Sequence, residues 1–282
     1  GEASVWVRVP VIKGDATQEI RVFWGRDEVA GESSGRAVFN ESNGYLSVWH
    51  LGAGVDDEVG TVASTDAGTT AVAGVIGAAR PLAGGKGVFG GEAIAGYPVG
   101  AGSHSSEAWF RPETPNVTVM AWGNEEGQGK VMMNFRSPPH VAMECYFSGA
   151  DVKGRSRVPV GDWVHVMHTY EKGNSRLYVN GVLDGVSEGP SAPLKIREPA
   201  RLWLGGWYHN YTFVGDLDEV GSRLQQLDKA YAAARNKLTE GRGNLVSRAE
   251  NLKQLGARAS KSLPTELLER AGGEPALDEF AG

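Results

Sequence analysis

Cysteine is nearly absent: Cys145 is the single one in 282 residues. No disulfide can form within the chain, so the fold must rest on its apolar core, unlike the bridged frameworks of small secreted animal domains. That usage fits an intracellular protein or one from a bacterial surface or periplasm. Long apolar runs are missing too, and no stretch of about 18 apolar residues reads as a membrane-spanning helix. A basic excess is also lacking, since the formal net charge is -6. Residues 223–282 carry 10 Lys+Arg against 8 Asp+Glu, which leaves 18 against 26 for the rest. An acidic body argues against nucleic acid as a partner, because phosphate binding needs clustered Lys and Arg. No secretory leader opens the sequence. "GEASVWVRVP" alternates from the start, and the expectation is a chain that begins partway through a longer protein.

What is abundant is glycine, 40 residues, set between short Val- and Trp-rich runs. That pattern predicts many short strands. Val5, Val7 and Val9 alternate with Trp6 and Arg8, Ile20, Val22 and Trp24 alternate with Arg21 and Phe23, and "GYLSVWHLG" is a third such run. Residues 56–91, mostly Gly, Ala, Thr, Ser and Val, read as loops and short edge pieces. From His104 strands follow at close spacing: "SEAWFRP", "NVTVMAWG", "KVMMNF" and "HVAMECYF", the last two joined by "RSPPH", whose prolines cannot sit in a central strand. Strands over 163–170 and 176–180 flank "EKGNS", where Gly173-Asn174 offers a reversal, and Asn180-Gly181 offers another. "RLWLGGW" and "FVGDLDEV" finish the series. Such spacing predicts an all-β, two-sheet sandwich.

After Val220 the composition turns to Ala, Leu, Lys, Arg and Glu. Leu224, Leu227, Tyr231 and Ala234, then Leu245, Ala249, Leu252 and Leu255, keep a helical period. Ser222 is a candidate N-cap, "GRG" at 241–243 a break, and Pro264 the start of a last short helix. The expected organisation is 1–90, strands and Gly/Ala-rich loops packed on or part of the sandwich; 91–222, the sandwich itself; and 223–282, a helical tail.

"DWVHVMHTYEKGNSRLYVNGVLDG", "LWLGG" and "FVGDLDEV" together resemble the laminin-G-like branch of the concanavalin A-like jelly rolls. Trp163, His165, Leu177, Tyr178, Val179, Asn180, Gly181, Gly215, Leu217, Asp218, Glu219 and Val220 carry the resemblance in order. It covers roughly 104–222 and implies a jelly roll, with lectins, binding modules, adhesion domains and some enzymes among its members. The front portion, "ASVWVRVP" to "VWHLG", is similar to part of an uncharacterised domain of bacterial surface proteins. Some of those proteins continue into proton channels of the MotA/TolQ/ExbB type, and others handle glycans. An extracytoplasmic placement is what this resemblance implies.

The resemblance also implies a structural calcium, for which Asp216 and Asp218, on one face of a strand, are the candidate ligands, with Glu219 facing away. The competing reading has these carboxylates capping backbone amides or pairing with Arg. Glucanases of this fold carry a Glu-x-Asp-x-x-Glu run, which does not occur here; Glu144 stands alone in "AMECYF". A lyase of the fold would use a His/Tyr pair, and His140, Tyr146 and Arg136 around one hairpin keep that reading open. No catalytic residue is assigned. Met132, Met133, Met143 and Met167 read as core, and Cys145 as buried and inert.

The binding candidates are Trp207, Tyr208, His209, Asn210 and Tyr211, whose rings and amides suit sugar faces and hydroxyls. Against this, Trp207 and Tyr211 could fold back onto the core. A second set is Asn134, Arg136, Glu144 and Tyr146, opposite an apolar set of Val131, Met133, Phe135, Val141, Met143 and Phe147. The function expected is a non-catalytic glycan or polysaccharide binding module of a larger extracytoplasmic protein. The alternatives are a structural or partner-binding ectodomain of an envelope complex, whose helical tail contacts another protein or the rest of the parent chain, and a jelly-roll lyase or hydrolase.

Overall fold

The computed structural model describes residues 5–12, 14, 17–21, 23, 31, 33–207 and 212–224. The chain divides into two units, Gly1–Gln225 and Gln226–Gly282. The second unit, with nearly all of the predicted helical tail, lies outside the described residues.

The strands, in chain order, are β1 (Tyr45–Trp49), β2 (Thr65–Asp66), β3 (Val72–Ala73), β4 (Ala78–Leu82), β5 (Val88–Ile94), β6 (His104–Pro112), β7 (Val117–Gly123), β8 (Lys130–Arg136), β9 (His140–Glu144), β10 (Val152–Lys153), β11 (Val164–Glu171), β12 (Asn174–Val179), β13 (Val182–Glu188), β14 (Ala200–Leu204) and β15 (Gly215–Leu224). They form two antiparallel sheets. The first runs β13-β12-β11-β6-β15-β4-β3, with β1 also pairing β15; the second runs β10-β9-β8-β7-β14-β5-β2. Sheet neighbours distant in sequence, such as β6 and β15, make this a jelly-roll sandwich rather than a meander. The expected fold class is therefore observed. β1 and β4 share a sheet with β6 and β15, so strands from before residue 90 are built into the sandwich.

The core follows from the two-residue period of strands. Val131, Met133 and Phe135 of β8 enter the space between the sheets with Val141 and Met143 of β9, Val164, Val166 and Tyr170 of β11, and Leu202 and Leu204 of β14. Each fully buried side chain of this kind contributes about 1.5–3 kcal/mol. The intervening residues face the other way. There Ala121, Met132, Trp203 and Trp207 form a second buried cluster, with Phe89 packed on it. One end of the main core is polar: His104, Ser106 and His168 are buried, and Ser106 lies opposite His168 across the β6–β11 ladder.

Both tight turns of the β11–β13 meander use left-handed backbone. Asn180 and Gly181 have φ 50° and 78°, as the sequence predicts. The first reversal falls one residue earlier than expected, on Lys172 and Gly173 (φ 50° and 93°), because Asn174 already pairs with Glu171.

Two expectations fail. Residues 5–9 and 17–21 form no strand, and Val5, Val7, Val9, Ile20 and Phe23 are exposed. Alternation marks a strand only where a ladder partner exists, and no described strand pairs with these runs. Val22 and Trp24 lie outside the described residues. Ser222 is not a helix cap either: it pairs with Ser47 and Ser106 inside β15, which continues to Leu224.

Candidate functional site

Of the two predicted binding sets, Trp207, Arg136, Glu144 and Tyr146 are described near the outer face of the second sheet. Trp207 does not stand open there as a stacking platform. It is 2% exposed, packs in the cluster of Trp203, Met132 and Ala121, and donates its indole N–H to Glu125. Its ring is amphipathic, and burial of the apolar body with the N–H satisfied is the lower free-energy state. Tyr208, His209, Asn210 and Tyr211 lie outside the described residues.

Beside Trp207, Lys130 is buried. Its ammonium donates to Glu125 at 2.9 Å and sits 3.9 Å from the Tyr146 ring centroid and 5.1 Å from that of Trp207. Two aromatic faces and one carboxylate thus replace the water that a lysine normally keeps. Burial would raise the Glu125 carboxyl, but the bonds from Lys130 and Trp207 outweigh it and hold the group below the usual carboxylate range.

Asn134, predicted to line a polar face, is 0% exposed and takes the Thr118 hydroxyl on its Oδ1 at 2.6 Å. It is an internal polar link between β7 and β8, not a surface contact. Arg136 and Glu144 do face outward, half-buried, and grip each other: Nε donates to Oε1 at 2.8 Å and Nη2 lies 2.6 Å from the same oxygen. They are not cross-strand partners, since the β8–β9 register sets Met132 opposite Glu144 and Arg136 opposite His140; the two side chains meet by reaching along the sheet. The His/Tyr pair of the lyase reading is split. His140 opens β9 and donates Nδ1–H to the Pro138 carbonyl, whereas Tyr146 lies beyond the far end of the same strand.

Phe147 departs most from its sequence reading. β9 ends at Glu144, and Tyr146 and Phe147 follow with φ 44° and 66°. The left-handed backbone breaks the alternation that would have turned Phe147 inward. It is 76% exposed, its ring 4.7 Å from that of Tyr146. Two consecutive non-glycine residues in this region cost about 1–3 kcal/mol each and persist only where surroundings enforce them. Here Gln128 N–H holds the Tyr146 carbonyl at 2.6 Å, and Cys145 N–H is held by Asp151 at 2.6 Å. The cue available in sequence was the paired rings of "CYF", but nothing in it announced positive φ. Cys145 itself is buried as expected, and burial pushes its thiol up to about 12.

Asp216 and Asp218 have separate partners. Asp216 takes Nε and Nη2 of Arg111. Asp218 accepts the amides of Val75 and Ile76, while its Oδ1 is buried without a hydrogen-bond partner, and burial raises its carboxyl. Glu219 holds His50 at 2.9 Å, and the register shift between Leu217 and Val220, both of them core residues, breaks the alternation expected to turn it away from Asp218. Among the described residues no three His, Cys, Asp or Glu side chains converge on one point. These commitments are the amide-capping and arginine-pairing arrangement, and they do not fit a calcium held by both carboxylates.

Comparison with known proteins agrees with this architecture. A profile of the concanavalin A-like lectin/glucanases superfamily, laminin-G type, matches residues 87–221. Domain 4 of AbnA, an extracellular arabinanase from Geobacillus stearothermophilus solved with arabinotriose, superposes with a TM-score of 0.51 at 18% identity, covering 64% of this chain and 92% of that domain. The binding domain of Paraclostridial Mosquitocidal Protein 1 gives 0.50 at 10% identity, over 67% of this chain and 51% of that one. A separate likeness is short and strong. The DNA recombination protein RmuC homolog of Pseudomonas aeruginosa is 78% identical over 68 residues, which is 24% of this chain and 15% of that protein. Its counterpart in Neisseria meningitidis serogroup A is 46% identical over 67 residues, 24% of this chain and 11% of that one. The chain thus spans less than a sixth of the length of these curated relatives. By profile, strand order and core, residues 87–221 are a laminin-G-like domain of the concanavalin A-like superfamily.

Proposed function

We propose that the sandwich is a non-catalytic glycan-binding module of an extracytoplasmic protein. The observation that carries this reading is the Tyr146–Phe147 ring pair, held outward at left-handed φ beside the buried Lys130. An exposed ring against solvent is costly to keep at a strained position, and a sugar's apolar face is its natural cover. The fold it shares with an arabinotriose-bound domain supports the same class of ligand. The Arg136–Glu144 pair supports binding over chemistry: the guanidinium occupies the Oε1 that a general acid would have to present to a glycosidic oxygen. A glycan array probed with wild type and Phe147→Ala tests this. Retained stability with lost binding supports it; equal binding by both forms counts against it.

A second reading comes from the 68-residue likeness to the RmuC homolog, which supports a DNA-linked context for that stretch alone. The acidic composition, net -6, weighs against phosphate binding by the chain as a whole. Mobility shift with a duplex oligonucleotide at two salt concentrations tests it: a salt-sensitive shift supports the reading and none opposes it.

A further inference from the structure

We propose that the edge of the second sheet carries a groove selective for the carboxylate or sulfate groups of an acidic polysaccharide. The inference rests on the glycan-binding reading and names the class of glycan. The groove, about 620 Å³, lies between the β8–β9 turn and the segment after β10, lined by Pro138, Pro139, His140, Lys153, Arg155 and Arg157. That volume suits a small-ligand site. No Asp or Glu lines it. Lys153, Arg155 and Arg157 are exposed, and none of the three has an ion-pair partner among the described residues. Three like charges in one concavity repel one another and concentrate anions.

The scaffold beneath them is fixed. Gly154 N–H donates to the Val141 carbonyl at 2.9 Å and Val158 N–H to that of Pro139 at 3.1 Å, so both ends of the segment are tied to the β8–β9 hairpin. Between them the buried Asp184 accepts the amides of Arg155 and Ser156, each at 2.9 Å, and the Ser156 hydroxyl. Gly154 allows this approach, since a Cβ there would lie 2.8 Å from the Val141 oxygen and run into Asp184. Both Asp184 oxygens are thus engaged with the segment itself. The Ser156 hydroxyl is tied to Asp184, and its neighbours Arg155 and Arg157 are exposed on a frame fixed by these bonds. Planar guanidinium forks match carboxylate and sulfate oxygens in pairs, and pre-organisation lowers the entropy lost on binding. Pro138 and Pro139 add an apolar wall against which a sugar ring can lie.

The test is titration of the full chain with polygalacturonate, dextran sulfate, neutral arabinan and a single-stranded DNA oligonucleotide at low and physiological salt. Wild type should bind an acidic polysaccharide, more weakly as salt rises. Arg155→Ala with Arg157→Ala should weaken that binding at least tenfold and leave arabinan binding unchanged. Arg176→Ala with Lys195→Ala removes two exposed cations elsewhere and should change little. Preference for polygalacturonate or for dextran sulfate tells carboxylate from sulfate. Equal weakening in both double variants would reduce the effect to net charge and overturn the proposal, as would DNA bound in preference to both acidic glycans. Binding of arabinan alone would overturn the acidic groove and keep the glycan reading; binding of no polysaccharide would overturn both.

Discussion

Lys130 places its ammonium 3.9 Å from the centre of the Tyr146 ring, on the same face where Trp207 donates to Glu125. The cluster is a piece of core on the outside of a sheet. Trp207→Ala is therefore expected to destabilise the protein by about 3–5 kcal/mol, as for other buried aromatic truncations. Urea unfolding measures it. An open stacking residue would change stability by only about 0.5 kcal/mol, so a loss that small would refute the packing described here.

Phe147→Gly should separate stability from binding. Glycine accepts φ 66° freely and the exposed ring contributes little packing, so stability should hold or rise by up to about 1 kcal/mol. Glycan binding should fall at least tenfold in the same protein. Thermal unfolding and affinity electrophoresis read the two effects. A loss of several kcal/mol would mean that Phe147 belongs to the core.

Acid should unfold the sandwich before the carboxylates titrate. Burial lowers His104 to about 4 and lowers His168 well below its ordinary value, and His104 Nε2 and His168 Nδ1 have no partner to share a charge. Both rings are neutral when folded and protonate only in the unfolded chain below about pH 6.5. Stability is thus complete above that pH and falls as pH drops toward 4, by about 1.4 kcal/mol per pH unit for each ring. For His50, burial works downward, but the Glu219 bond and charge outweigh it; its raised value offsets part of the loss. Urea midpoints at pH 7.5, 6 and 5 check the sign. A flat or rising series would contradict it.

Cys145 should resist thiol reagents. It is fully buried and its thiol is pushed up to about 12, so almost no thiolate exists at neutral pH. Labelling by Ellman's reagent should be negligible in buffer and complete in denaturant. Fast labelling of the native protein would place the β9 end in solution.

The sandwich was legible because its central strands combine alternation with turn residues: β8, β9, β11 and β12 lie within a residue or a few of where the sequence puts them, while β13 (Val182–Glu188) was marked only by the turn before it. Front alternation misled at residues 5–9, since a period of two says nothing about whether a partner strand exists. The candidate site was less legible. Asn134 and Trp207 have surface-compatible side chains, and only the closing of neighbours over them buries them. Phe147 faces out through backbone dihedrals, which composition does not encode. The basic groove depends on Asp184, 29 residues from Arg155 and 28 from Ser156, pinning a segment with no pattern of its own.

Affinity and turnover measured in one experiment test the central claim most directly: an immobilised glycan panel is incubated with the intact protein, and bound protein and released reducing ends or unsaturated products are read over time. The account predicts saturable binding to at least one polysaccharide with no product above the blank. Product that grows with time, or no binding to any glycan, would contradict it.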